Sequence, residues 1–199
     1  IQAIQEVADR YKFKEGMTET NRKYAAMVES IDDCMRDMLA ELKKHGIDEK
    51  TLIIFTSDNG GLDRNGNPTE NAPLRSGKGY CYEGGIRVPF LVRWPAAIPP
   101  GVVSDAPVSS VDLFPSILEA TGTQLPRDRP IDGLSLSQHL RSEATKSLGR
   151  ESLFWHFPHY RHAPGPYSII RKRNWKLIKF WEGIYELYDL DKDLGETKN

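Results

Sequence analysis

The stretch IIFTSDNGGLD, from Ile53 to Asp63, decides how the chain is read. Leu52 to Phe55 suit a buried strand, and they run without a spacer into Ser57-Asp58-Asn59-Gly60-Gly61. Open α/β sheets place ligand sites at the C-terminal ends of their strands, and Asp and Asn offer hard oxygens suited to Ca²⁺ or Mg²⁺. Two such ligands fall short of the roughly six to eight oxygens that Ca²⁺ takes. Asn-Gly is also a strong turn dipeptide, so a plain turn stays open beside the metal reading.

The flanking segments supply the frame. From Arg22 to Lys44 the apolar residues Ala25, Val28, Ile31, Met35, Met38, Leu39 and Leu42 fall mostly at steps of three and four, the pattern of an amphipathic helix. Thr20 or Asn21 can cap its start, and Gly46 lies just past its end. A helix that feeds a strand over Thr51 to Thr56 is half of an α/β unit. Residues 57 to 85 form a glycine-rich loop without periodicity, and a loop that long inside a compact domain is functional or disordered.

Beyond it, Ile86 to Trp94 reads as a strand ended by Pro95. Ser109-Ser110 caps a helix from about Val111 to Thr121, and a shorter helix spans Leu136 to Arg141. After Gly149 the texture changes. SLFWHF, YSIIRKRNWKLIKF and YELYDL are aromatic and β-branched, with Arg173-Asn174 as a hairpin turn, which predicts a small antiparallel sheet. The expected fold is α/β, divided into residues 1–145 and a C-terminal β subdomain over 146–199.

Bulk properties narrow the partners. The 199 residues suffice for one domain, or a domain plus an appendage, and 28% charged with 39% hydrophobic residues is ordinary for a globular chain. A net charge of -1 gives no global field to attract nucleic acid or a membrane surface. No apolar run approaches the roughly 20 residues that span a bilayer. Cys34 and Cys81 are too few for a disulfide framework and read as unpaired thiols. The start at Ile1, without Met or a signal-peptide pattern, suggests a processed chain, a trimmed one or a piece of a longer protein.

A second polar cluster follows the first: NAPLRSGKGYCYEGGIRVP, Asn71 to Pro89. Lys78 stands between Gly77 and Gly79, with Arg75 three residues earlier, so an ammonium could reach a bound anion without crowding. The segment is not a P-loop, because Gly79 follows the lysine and Ala72-Pro73 stand where the leading glycine belongs. A solvated surface loop remains the alternative. Glu83 and Arg87 read as an ion pair that locks the loop. Asp112 reads as a first-turn helix residue favoured by the dipole. His156, His159 and His162 have a tempting spacing for metal, but Pro158, Pro164 and Pro166 exclude a regular helix, and a substrate-facing loop fits better.

Taken together, TLIIFTSDNGG followed by NAPLRSGKGYCYEGGIRVPFLVRWP resembles the C-terminal half of the type I sulfatases, the arylsulfatase family within the alkaline phosphatase superfamily. YAAMVESID before it, and VDLFPSILEATG, DGLSL and KLIKF...YELYDLDKDLGE after it, fit in the same order over nearly the whole chain. The resemblance implies part of a mixed sheet flanked by helices, followed by a small antiparallel sheet. It implies that Asp58 and Asn59 ligate a divalent cation, usually Ca²⁺, and that Lys78 contacts the sulfate. Arg75, His156, His159 and Arg161 are then candidates for gripping the substrate. It further implies a sulfate ester substrate, carbohydrate by preference, and an exported or lysosomal protein.

The departure from the family pattern matters as much. The Cys-x-Pro-Ser-Arg motif, whose Cys becomes the formylglycine nucleophile, has no counterpart here: Cys34 precedes Met35-Arg36, and Cys81 precedes Tyr82-Glu83. The paired aspartates, lysine and histidine of the family's N-terminal half are missing as well. The expectation is a partial metal site, completed by the missing N-terminal half of the same protein, and an isolated chain without activity. A phosphate mono- or diesterase of the same superfamily and a non-catalytic module binding sulfated glycans are the rival readings.

Overall fold

The structure is a computed structural model and describes residues 2–63, 66–142, 145–161 and 165–199. Helix α1 (Gln5–Asp9) leads into the long helix α2 (Glu19–Lys44). The N-cap of α2 is Thr18, earlier than the expected Thr20 or Asn21, because the Thr18 hydroxyl accepts the Asn21 N–H and satisfies an orphan donor. Glu19 in the first turn and Lys43-Lys44 in the last complement the helix dipole. Gly46, at φ 66, takes the left-handed conformation that ends the helix. Ala26 is packed against Val7 and Ala8 of α1, whereas Val28, Ile31 and Met38 remain exposed.

Strand β1 (Ile53–Thr56) follows and pairs antiparallel with β2 (Phe90–Arg93), Ile54 opposite Val92 and Phe55 opposite Leu91. Strand alternation sends Phe55 and Leu91 outward and turns Ile54 and Val92 toward the helices. There they line a small apolar cavity with Leu113 of α4 (Leu113–Ala120) and Leu140 of α5 (Ser137–Arg141). The strand expected over Ile86–Trp94 is thus shorter. Its first residue, Ile86, belongs to a helical turn, α3 (Glu83–Ile86), and Pro89, which lacks an N–H, precedes the ladder.

Asp112 is wholly buried. It closes a capping box with Ser109, accepts the Leu134 N–H, and is gripped by both terminal nitrogens of Arg150 at 2.8 and 2.6 Å. Burial works against its charge, but the Arg150 hydrogen bonds and the Leu134 and Ser109 N–H groups outweigh it and hold the carboxyl below its ordinary range. This residue is more than a dipole partner: it staples three segments together.

The remaining strands, β3 (Ser152–Phe157), β4 (Tyr167–Lys172), β5 (Trp175–Phe180) and β6 (Tyr185–Asp189), form an antiparallel meander in sequence order. Arg173-Asn174 make the β4–β5 turn, with Arg173 at φ 54. The outer face carries the row Phe154, Ile170, Leu177 and Leu187. The inner face carries Ile169, Ile178, Phe180 and Tyr188, which form a core with Cys81 and Tyr82 of the glycine-rich loop. That docking of loop on sheet positions the candidate site. The architecture is α/β, with the first sheet represented by two strands and the second complete as a four-stranded meander among the described residues.

Candidate functional site

The site begins where β1 ends. Ser57 donates its hydroxyl to the Asn59 carbonyl (2.9 Å), curling the chain so that Asp58 is exposed and Asn59 half-buried. Gly60 then donates its N–H to the Gly85 carbonyl (3.0 Å), and a Cβ on Gly60 would fall inside the Gly84 carbonyl group. Only glycine fits that crossing.

The next residue ties the two polar clusters together. The Gly61 carbonyl accepts the Lys78 N–H (2.9 Å) and the Asn71 carboxamide N–H (2.9 Å), and the same carboxamide reaches the Ser76 carbonyl (2.9 Å). Gly77 packs so closely that a Cβ would overlap the Gly61 oxygen. The backbone of Lys78 is therefore bound two residues beyond Asn59. No described residue pairs with the Asp58 carboxylate, the Asn59 carboxamide or the exposed Lys78 ammonium. A carboxylate and a carboxamide, consecutive and uncommitted, fit a hard divalent cation as two of its ligands. Among the described residues no group of three or more His, Cys, Asp and Glu side chains could hold a metal.

Behind Lys78 the loop is anchored in the protein. Arg75, a sequence candidate for substrate contact, turns inward. Its guanidinium donates to the Tyr188 hydroxyl (3.0 Å) and the Glu196 carbonyl (2.7 Å) and lies 3.6 Å over the Tyr82 ring. It holds the loop instead of facing a ligand. Glu83 differs from expectation as well: Arg87 lies 3.9 Å away, but the principal partner is Lys176 of β5, whose ammonium donates to Oε1 at 3.0 Å. Around this contact burial pushes the Cys81 thiol up to about 12, with nearby Lys176 opposing, so Cys81 is an unreactive core thiol. Burial and Glu186 likewise raise the Tyr188 phenol to about 12.

The histidine segment lies on the C-terminal sheet. His156 is exposed on β3, shares a 2.9 Å hydrogen bond with the Ser168 hydroxyl and stacks on Trp181 at 5.9 Å. His159 packs edge-on to Phe157 at 4.9 Å, and Arg161 is exposed beside it. His162 lies outside the described residues. Sequence reasoning missed Trp181, Lys176 and Glu196. Strand alternation held a signal for one of them, because Lys176 shares the inward period of Ile178 and Phe180. Glu196 and Trp181 carried no comparable mark.

Comparison with known proteins agrees with this frame. The sulfatase family profile matches residues 2–123, and that of N-sulphoglucosamine sulphohydrolase, C-terminal, matches residues 76–199. A sulfatase of Formosa agariphila is 38% identical over 210 residues, covering 96% of this chain and 37% of that protein. The structure of Ps i-CgsB in complex with k-i-k-neocarrahexaose superposes with a TM-score of 0.85 at 29% identity, covering 100% of this chain and 42% of that one. BT4656 in complex with its substrate D-glucosamine-2-N,6-O-disulfate gives 0.75 at 27% identity, with 98% and 40% covered. The chain thus spans about 37% of its curated relative's length. The two profiles overlap across the Lys78 loop and together reach from residue 2 to residue 199, so the chain belongs to the sulfatase family and corresponds to its C-terminal part.

Proposed function

We propose that the protein carrying this chain hydrolyses sulfate esters, with sulfated carbohydrate as the substrate class, and that this chain supplies Lys78, Asp58 and Asn59 to the active site. The observation that carries the reading is the shared acceptance at the Gly61 carbonyl, which ties the backbone of Lys78 to the strand end bearing Asp58 and Asn59, three side chains without a partner among the described residues. An anion held between an ammonium and a cation site is what a sulfuryl group with developing negative charge requires. The carbohydrate class is supported by the ligands of the two structural neighbours, the monosaccharide D-glucosamine-2-N,6-O-disulfate for BT4656 and the oligosaccharide k-i-k-neocarrahexaose for Ps i-CgsB.

In this reading Lys78 binds a sulfuryl oxygen and offsets the charge that grows as the ester bond breaks. Asp58 and Asn59 hold a divalent cation, Ca²⁺ by preference, whose remaining ligands come from outside the chain. That cation would polarise the sulfuryl oxygens when bound, and a formylglycine, also from outside the chain, would supply the nucleophile. His156, His159 and Arg161, with Trp181 behind His156, are the candidates for contacting the organic part of the ester, His156 from the face of β3 that also carries Phe154. The same reading divides the chain into an α/β portion over 1–145 and the β subdomain over 146–199.

The test is hydrolysis of a chromogenic sulfate ester and a sulfated disaccharide by the complete protein. Lys78→Ala is expected to lower kcat/KM by about 100- to 1,000-fold, the usual effect of losing one charge-stabilising donor. Unchanged turnover would overturn the assignment of Lys78. The isolated chain is expected to show no turnover and no tight calcium binding by calorimetry, and either result in the opposite sense would show that its site is complete.

A further inference from the structure

Beside the candidate site lies a cluster of buried charge to which sulfate-ester chemistry assigns no role. Glu83 is 2% exposed, and Lys176 and Glu196 are fully buried. The Glu83 side chain accepts from Lys176 Nζ, while the Glu83 N–H donates to Glu196 Oε2 at 2.6 Å. Lys176 Nζ also lies 2.7 Å from Glu196 Oε1, an ion-pair contact whose angle falls short of a hydrogen bond. Two carboxylates share one ammonium. Glu83 Oε2 has no hydrogen bond among the described residues, and Arg87 and Arg171 approach it only to 3.9 and 4.0 Å.

The cluster brackets Lys78 from both sides. Three residues before it, Arg75 is fastened to the Glu196 carbonyl; five residues after it, Glu83 is fastened to the Glu196 carboxylate. The Gly84 N–H closes the loop on the Arg75 carbonyl at 2.9 Å. Two non-glycine residues of this assembly, Ser76 at φ 58 and Glu196 at φ 51, hold left-handed backbone, which persists only where surrounding contacts enforce it. Buried ion pairs of this kind give little stability over apolar packing, so their use is in fixing one geometry.

The geometry points to Lys176 and Glu196 as positioning residues that hold the Lys78 loop in register with the Asp58–Asn59 strand end. For its kinetic consequence, though not for its structural content, this assignment rests on the sulfate-ester reading above.

Two measurements on the complete protein test it, with Glu196→Gln as the principal variant because glutamine keeps an acceptor for the Glu83 N–H while losing the charge. Lys176→Met removes the shared ammonium and serves as the severe variant. In hydrogen exchange, Glu196→Gln is expected to speed the Lys78 and Gly84 amides by about tenfold and the β3–β4 amides by less than about twofold. Unchanged protection at Lys78, or equal loss in β3–β4, overturns the assignment. In a double-mutant cycle, Glu196→Gln is expected to lower kcat/KM about tenfold with Lys78 present and less than about twofold in the Lys78→Ala background. Equal losses in both backgrounds would mean that the cluster acts on general stability, and would overturn it. If the parent protein turns over no sulfate ester, the functional reading falls, and hydrogen exchange alone decides the positioning role.

Discussion

Two regions of the molecule bury charge, and they balance it differently. At Asp112 the pairing is one to one: a single carboxylate meets a single guanidinium, and two backbone N–H groups fill what remains. At Glu83–Lys176–Glu196 two carboxylates divide one ammonium, and two carboxylate oxygens, Glu83 Oε2 and Glu196 Oε1, go without a hydrogen bond among the described residues. The Asp112 carboxylate is fully bonded, though Arg150 Nε is left without a hydrogen bond among the described residues. That pair sits away from the Lys78 loop and staples the start of α4 to the segment before β3. The unsaturated cluster lies directly beneath the loop. A buried polar group left short of partners calls for an explanation, and its neighbourhood to the candidate site provides one.

The contrast can be broken most forcefully at Lys176. Lys176→Met leaves two buried carboxylates uncompensated and is expected to cost at least about 3–5 kcal/mol in urea unfolding. Arg150→Met leaves one, still held by backbone donors, and is expected to fall near the lower end, about 3 kcal/mol. Equal costs would mean that the difference in saturation has no energetic weight. Next come the glycines. Gly60→Ala drives a methyl into the Gly84 carbonyl and is expected to cost about 1–3 kcal/mol by thermal unfolding. Gly183→Ala, with φ 88 but open space around it, meets only the backbone penalty of about 1–2 kcal/mol.

A finer discrimination comes from pH. The Asp112 pKa is lowered, with Arg150 and the backbone donors overcoming burial, so its stabilisation is present above the ordinary carboxylate range and fades as pH falls through the lowered value. The Glu196 pKa is raised, chiefly by burial and against the pull of Lys176. Its contribution is therefore present below the ordinary range and fades as pH rises through the raised value. Asp112→Asn should flatten the acid side of the stability profile, and Glu196→Gln the opposite slope. Slopes of the same sign would contradict the contrast. The smallest effect is expected at the exposed Lys44–Glu41 pair on α2, where Lys44→Ala should shift stability by less than about 0.5 kcal/mol.

Local signals made much of the fold legible. The three-and-four spacing from Ala25 to Leu42 identified α2, and aromatic, β-branched runs around Arg173-Asn174 identified the meander. Errors fell where tertiary contacts override local pattern. Ile86 reads as strand, but the docking of Tyr82–Gly85 on the sheet draws it into a helical turn. Asp58, Asn59 and Lys78 could be singled out by residue type. That one carbonyl, Gly61's, ties their segments together could not, because it depends on the path of a loop without periodicity. The partners of Glu83 lie 93 and 113 residues away, and nothing near Glu83 announces them. Arg75 shows the converse: a cation three residues from Lys78 reads as a second ligand contact until its inward partners are seen.

The sequential order of the meander has a bearing on how the chain acquires this shape. The hairpins are local, with Phe157 opposite Tyr167 and Lys172 opposite Trp175, so the strands can zip together early. Their inner face cannot close early, because the Lys176 ammonium points into it and finds its counter-charges only on a loop some ninety residues upstream and on the terminal turn. Until those arrive, the half-built sheet must keep a solvated cation in the middle of its hydrophobic side. The arrival of Glu83 and Glu196 is then expected to be the late step, with the Lys78 loop reaching its final place in the same event.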